Sequence, residues 1–147
     1  MTEQSARGSS TAQVNGAALR YQRRGAGRPV VLLHPLRMQL EYFDPLCAEL
    51  GDAGAELIAV DLPGHGHSAA PAVDYTASYF TTAVEALLDD ISVADAIVVG
   101  ESIGASIGLG LAAHLAGLFP KAGLHLVDGA SHWPQWDAPE AVAELIR

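Results

Sequence analysis

The sequence is poor in cysteine and in basic residues, and each shortage excludes a class of protein. Cys47 is the only cysteine among 147 residues, so the chain cannot form an internal disulfide. We expect this thiol to be a small buried hydrophobe of a helix. Only 8 lysines and arginines stand against 17 aspartates and glutamates, which gives a net charge of −9. This balance disfavours nucleic acids and anionic membrane surfaces as partners, because both require a basic surface.

Long apolar runs are missing as well. No stretch has the length that a membrane-spanning helix needs, and the N-terminal MTEQSARGSS has no apolar segment of the kind that secretory signals carry. We therefore expect a cytoplasmic protein. Residues 1–10 are expected to form a loose tail and residues 11–147 a single domain, because half of the residues are hydrophobic and we find no linker or repeat.

The chain does contain short apolar runs of the kind that form strands. Asn15-Gly16 lies between two semi-apolar runs and predicts an antiparallel hairpin over residues 11–24, because both residues tolerate a positive φ. Three later runs are continuously apolar, which is typical of parallel strands buried on both faces. These runs are residues 29–34, 57–60 and 96–99, and residues 124–127 form a weaker fourth.

Helical segments separate these strands. Apolar periodicity and helix-end residues predict four helices, over residues 41–50, 76–90, 102–118 and 137–146. The third is apolar on nearly every face and should be largely buried. Asp137 and Glu140 fit a capping box at the start of the fourth. The alternation predicts an α/β fold: a doubly wound, mostly parallel sheet with an N-terminal antiparallel hairpin.

Gly100-Glu101-Ser102-Ile103-Gly104 fits the pattern G-x-S-x-G between a predicted strand and a predicted helix. A sharp turn from strand to helix requires small residues beside the serine, whose hydroxyl is then held at the N-terminus of the helix. The unpaired N–H groups and the dipole of that helix end stabilise a developing oxyanion. The alternative is that Ser102 only caps the helix.

Two further segments strengthen the pattern. Asp61-Leu62-Pro63-Gly64-His65-Gly66-His67-Ser68 follows one apolar run, and His34-Pro35-Leu36-Arg37 follows another. Together with the serine motif they resemble the α/β-hydrolase superfamily from about Val14 to the end of the chain. The resemblance implies that the N–H groups of Leu36 and Ile103 form the oxyanion hole. Where the family has a glycine after the histidine, this chain has Pro35, which fixes φ.

The histidines of these two segments have expected roles that differ from catalysis. The family uses the D-x-x-G-x-G-x-S loop to shape the floor of the site, so we assign His65 and His67 no catalytic role. His34 is expected to be structural. A metal site at His65 and His67 lacks a third ligand nearby, so no metal is predicted.

The end of the chain carries the candidate catalytic histidine. Gly129-Ala130-Ser131-His132-Trp133-Pro134 resembles the histidine loop of the family, and histidine suits the role because it accepts and returns a proton near neutral pH. Only 30 positions separate Ser102 from His132. That spacing is much shorter than in family members and implies that the cap and the usual acid-bearing strand are missing. A loop histidine of no consequence is the alternative.

Asp128 is the candidate triad acid. It ends the predicted strand 124–127, and the order Ser102, Asp128, His132 is that of the family. A turn aspartate before Gly129 is an equally good interpretation. The geometry is demanding, because Asp128 and His132 share one short loop while the imidazole must also face Ser102.

The resemblance implies a serine hydrolase that acts on a small carboxylic ester or related acyl compound through an acyl-enzyme, without a cofactor. The serine nucleophile disfavours the dehalogenase and epoxide-hydrolase branches, which use aspartate. The alternative is an internally deleted, weak or inactive hydrolase that serves as a binding or interaction module. The same deletion should leave the helix after Ser102 partly uncovered, which favours homo-oligomers.

Overall fold

A computed structural model describes residues 8–50, 54–114 and 138–146, and the fold is given for these residues. The strands are β1 (Ser9–Val14), β2 (Ala17–Gly25), β3 (Arg28–Leu33), β4 (Ala55–Val60) and β5 (Ile97–Gly100). The helices are α1 (Asp44–Leu50), which follows a short 3-10 helix (Leu40–Phe43), and α2 (Ala77–Asp90), α3 (Ile103–His114) and α4 (Pro139–Ile146).

The five strands form one mixed sheet in the order β1-β2-β4-β3-β5. β1 and β2 pair antiparallel, as do β2 and β4, whereas β3 lies parallel to both β4 and β5. Asn15 and Gly16 form the turn of the hairpin with φ of 48° and 78°. The structure confirms the predicted α/β architecture, including the N-terminal hairpin and the adjacent parallel strands.

Helices cover both faces of the sheet because side chains alternate along each strand. Val31 and Leu33 of β3 lie in a core with α2 and α3, while Val30 and Leu32 lie in a second core with α1 and α4. Pro45 occupies the first turn of α1, where its missing N–H costs nothing.

The structure corrects three expectations. Ser9 and Ser10, assigned to the tail, belong to β1. β5 is half-buried rather than fully buried, because among the described strands only β3 lies beside it. α3 is buried at Ile107 and Leu111 but exposes Leu109 to 74 %. The described residues cover the face of α3 that packs on the sheet and α2, and Ala105, Leu109 and Ala113 on the opposite face are exposed. The predicted strand 124–127 and the capping residue Asp137 lie outside the described residues.

Candidate active site

The candidate site lies at the carboxyl edge of the parallel strands. Leu33 of β3 pairs with Val60 of β4 on one side and with Gly100 of β5 on the other. The three strands therefore end in one row, and the segments that follow them leave the sheet side by side. In open α/β sheets this edge is where ligands bind. The topology thus brings three of the sequence motifs together.

Ser102 lies at the tip of a sharp turn between β5 and α3. Its φ is 54°, a left-handed conformation that a residue with a side chain rarely adopts, and the residue is exposed. A Cβ atom on Gly100 would lie 2.4 Å from the carbonyl oxygen of Gly104, and one on Gly104 would lie 2.1 Å from the carbonyl oxygen of Leu33. Both neighbours are backbone atoms, so the flanking positions must be glycine.

The N–H groups expected to form the oxyanion hole lie on two adjacent segments. Ile103 is the first residue of α3, where the backbone N–H has no acceptor within the helix. Leu36 lies in a turn that the N–H of Met38 closes by donating to the carbonyl of Pro35 at 3.2 Å. The N–H of Glu101 donates to the carbonyl of Leu33 at 3.2 Å, which fixes the elbow against the start of that turn.

His34 is buried and structural in its contacts. Its Nε2 atom accepts a hydrogen bond from the N–H of Leu62 at 3.0 Å, and its Nδ1 atom lies 2.8 Å from the carbonyl oxygen of Pro35. Burial lowers the pKa of His34 to about 4. A neutral ring with the proton on Nδ1 satisfies both contacts. His34 therefore connects the ends of β3 and β4, and Pro35 takes part in this arrangement through its carbonyl group.

The carboxylate of Asp61 organises the loop after β4. It accepts hydrogen bonds from the N–H groups of Leu40 at 2.7 Å and His67 at 2.8 Å, and from Nε of Arg20 at 2.7 Å. A Cβ atom on Gly66 would lie 2.1 Å from this carboxylate. The loop thus has the structural role that its motif predicts.

Arg20, on β2, has a role that no pattern in the sequence indicated. Its guanidinium also contacts both carboxylate oxygens of Glu41, at 2.8 and 3.0 Å. Burial opposes the charge of Arg20, but the hydrogen bonds to Asp61 and Glu41, together with the negative charges of these two carboxylates, raise the pKa of the guanidinium. A single arginine within a strand gives no periodic signal, so only the folded chain reveals this cluster.

Glu101 precedes the candidate nucleophile, and its carboxylate accepts a hydrogen bond from the hydroxyl of Tyr42. Tyr42 belongs to the core that α1 and α4 share, so this contact joins the elbow to the helical layer behind the sheet. No local pattern in the sequence indicates this partner, because 59 positions separate the two residues.

An open groove of about 390 Å³ lies beside the turn that follows β3. The residues that line it come from that turn and from the loop after β4: Arg37, Met38, Gln39, Gly64, His65 and Gly66. Arg37 has a φ of 68°, so it is a second residue with a side chain in the left-handed region at this edge. We call this cavity the groove.

His132 and Asp128 lie outside the described residues. Within the described ranges, no three His, Cys, Asp or Glu side chains are grouped as a metal ion requires. The same part of the chain holds no helix that is long and apolar enough to cross a membrane.

A family model described as alpha/beta hydrolase fold matches residues 28–115. The chain belongs to this family. The matched range includes the elbow, the turn after β3 and the loop after β4, which are the three segments that assemble at the sheet edge. The resemblance seen in the sequence is confirmed at the level of fold.

Individual relatives include enzymes of several kinds. The dihydrolipoyllysine-residue acetyltransferase component of the acetoin cleaving system of Pseudomonas putida is 35 % identical over 126 residues, which cover 81 % of this chain and 32 % of the relative. The (E)-2-((N-methylformamido)methylene)succinate hydrolase of Acinetobacter baylyi is 30 % identical over 97 residues, 66 % of this chain and 36 % of that enzyme. The crystal structure of the enol-lactonase from Burkholderia xenovorans LB400 superposes with a TM-score of 0.69 at 34 % identity, covering 73 % of this chain and 42 % of the lactonase.

The chain therefore spans about a third of the length of the curated relatives it matches. The activities of the whole relatives belong to those proteins.

Proposed function

We propose that this protein is a serine hydrolase that acts on a small carboxylic ester or a related acyl compound. The observation that carries the proposal is the left-handed Ser102 between two glycines whose positions leave no room for a Cβ atom. A strained serine that is exposed at the start of a helix is the arrangement of a nucleophile elbow. A serine that only capped α3 would need neither the strain nor the two glycines.

In the proposed reaction the oxygen of Ser102 attacks the acyl carbon while His132 takes the proton of the hydroxyl. His132 then returns the proton to the leaving alcohol, and water releases the acyl group by the same route. The N–H groups of Ile103 and Leu36 stabilise the oxyanion, and Asp128 orients His132. The Burkholderia relative is named a lactonase, and a lactone is a cyclic ester, which fits an ester substrate.

A fluorophosphonate reagent that labels activated serines tests the nucleophile. We expect one label on Ser102 in the wild-type chain and none in Ser102→Ala. Ser106→Ala is the matched control, because Ser106 is also exposed and lies one turn further along α3. Labelling that persists in Ser102→Ala, or a wild-type chain that takes no label, would overturn the proposal in favour of a binding module.

Turnover of 4-nitrophenyl acetate tests the remaining residues. Ser102→Ala should abolish turnover through the acyl-enzyme, and His132→Ala should lower kcat by several orders of magnitude. Asp128→Asn should lower kcat by about 10⁴-fold, because the amide favours the wrong tautomer of the imidazole. An unchanged kcat in Asp128→Asn would exclude Asp128 as the acid while leaving Ser102 and His132 as a pair.

A further inference from the structure

The groove contains a cation without a counter-ion in the described part of the chain. Arg37 lines the groove, is exposed, and forms no ion pair with any described residue. The next carboxylate along the chain, that of Glu41, and the carboxylate at the start of the loop after β4, that of Asp61, already have hydrogen-bond partners. Glu41 accepts hydrogen bonds from the guanidinium of Arg20. Asp61 accepts hydrogen bonds from the same guanidinium and from two backbone N–H groups.

The backbone of Arg37 is in a conformation that disfavours arginine. The residue occupies the third position of the turn closed by Met38 and Pro35, with a φ of 68°. That position favours glycine, and a residue with a side chain there costs about 1 kcal/mol. Strained residues of this kind cluster at ligand clamps and active sites.

The groove also adjoins the proposed chemistry. The turn that holds Arg37 follows β3, the strand between β4 and β5, and Leu36 of that turn is the proposed oxyanion donor. Leu36 and Met38, the two neighbours of Arg37 in the chain, are exposed to 56 % and 37 %. A ligand here would meet apolar surface and one positive charge. The chain as a whole carries a net charge of −9, so a local cation favours the binding of an anion at this edge.

We propose that the groove binds a carboxylate group of the substrate and that Arg37 is a specificity-determining residue. The substrate class is then an ester or related acyl compound that carries a second, acidic group on an apolar body. This inference rests on the proposed function for the reaction, but the anion site itself can be tested without turnover. A guanidinium binds a carboxylate through two parallel hydrogen bonds.

The experiment compares 4-nitrophenyl hydrogen adipate, which is a monoanion at pH 7, with methyl 4-nitrophenyl adipate, which is neutral and of similar size. We expect wild-type kcat/KM, corrected for uncatalysed hydrolysis, to favour the anionic ester. Arg37→Gln should lower kcat/KM about tenfold for the anionic ester, mainly through KM, and leave the neutral ester unchanged. Arg37→Lys should restore part of the preference.

Arg28→Gln is the matched control. Arg28 is also exposed, and it lies at the amino end of β3, at the opposite edge of the sheet from the groove. The Arg28→Gln variant changes the net charge by the same amount as Arg37→Gln and should keep the wild-type preference for the anionic ester. The anion site would be overturned if Arg37→Gln lowered kcat/KM equally for both esters. It would also be overturned if Arg28→Gln lost the preference for the anionic ester as fully as Arg37→Gln does.

Binding of adipate, followed through the NMR signal of the Nε–H group of Arg37, separates this inference from the proposed function. If neither ester is hydrolysed but adipate shifts this signal, the anion site stands and the hydrolase proposal fails. If the esters are hydrolysed without preference and adipate leaves the signal unchanged, the hydrolase stands and the anion site fails. Absence of both turnover and binding would overturn both.

Discussion

At the scale of single residues, His34 shows how burial converts a titratable side chain into a structural one. Its ring accepts a hydrogen bond from the backbone N–H of Leu62 and lies against the carbonyl of Pro35, and the residue is fully buried. A charged ring would place a second proton on Nε2, where the N–H of Leu62 already points. The contact is therefore compatible only with the neutral form.

His34 should make the free energy of unfolding depend on pH. Its pKa is about 4 in the folded chain and about 6.5 when unfolded, so the unfolded state binds more protons between these values. The contribution of His34 to the free energy of unfolding is largest above pH 6.5, and it falls by about 3 kcal/mol as the pH drops to 4. Urea unfolding at a series of pH values should show this slope in the wild type and a shallower one in His34→Gln.

His67→Gln provides the control for that series, because His67 is exposed whereas His34 is buried. The wild-type slope should remain in this variant. Identical slopes in the wild type and His34→Gln would contradict the assignment of this pH dependence to His34.

At the scale of elements, two glycines of α3 have different reasons for lacking a side chain. A Cβ atom on Gly104 would lie 2.1 Å from the carbonyl oxygen of Leu33, whereas one on Gly108 would lie 3.2 Å from Cγ1 of Val98. The first neighbour is backbone of a central strand and cannot move alone. The second is a side chain that can adjust.

Gly104→Ala should therefore destabilise the chain by about 3 kcal/mol and reduce fluorophosphonate labelling of Ser102, since overpacking displaces the elbow. Gly108→Ala should lie within about 1 kcal/mol of wild type, because alanine favours a helix interior. Urea unfolding measures the first effect and quantitative labelling the second. A Gly104→Ala protein with full stability and labelling would contradict the elbow packing.

Two ion pairs of the sheet allow a second comparison between elements. Arg20 and Asp61 are buried with side-chain exposures of 6 % and 0 %, whereas Arg23 is 40 % exposed in its pair with Glu56. Asp61→Asn should lower the free energy of unfolding by about 3 kcal/mol. The change weakens the buried contact with Arg20 and the hydrogen bonds from the N–H groups of Leu40 and His67. Glu56→Gln should cost less than about 1 kcal/mol. Equal costs in chemical denaturation would show that burial does not decide the difference.

The sequence predicted the elements well where a local rule determines them. Asn15-Gly16 takes the two positive φ values of a hairpin turn, and the glycines around Ser102 take the places where no Cβ fits. Contacts between distant segments were not predictable. The pairing of Arg20 with Asp61, and of Tyr42 with Glu101, depends on which strands become neighbours, and single residues carry no periodicity that would reveal it.

The burial of β5 and α3 was overestimated for a related reason. An apolar run indicates that a segment prefers to be buried, but it does not say how many neighbours the fold supplies. β5 has one strand beside it in the described sheet, and one face of α3 packs on that sheet. His132 and Asp128 remain predictions from resemblance, since both lie outside the described residues.

At the scale of the whole molecule, the exposed face of α3 is a candidate surface for association between copies of the chain. Ala105, Leu109 and Ala113 recur every four residues on this face and are all exposed. We propose that a second copy of the chain covers this stripe, because apolar surface of this kind favours association.

Light scattering at moderate salt should therefore give a mass above that of one chain. Leu109→Glu should shift the protein towards the monomer, since it places a charge in the stripe. Leu145→Glu changes the charge equally on α4, where Leu145 is 45 % exposed, and should leave the mass unchanged. A wild-type mass equal to one chain would contradict self-association.

The reaction rate of the buried Cys47 thiol can measure how often α1 opens. Burial raises the pKa of this thiol to about 11, so at pH 8 only about one molecule in 1,000 carries the reactive thiolate even before access is considered. Because it is the only sulfhydryl in the chain, a thiol reagent reports one event, the moment at which α1 leaves its core. The ratio of its reaction rates in urea and in buffer should give the free energy of that opening. Equal rates would show that α1 already moves freely in the native state.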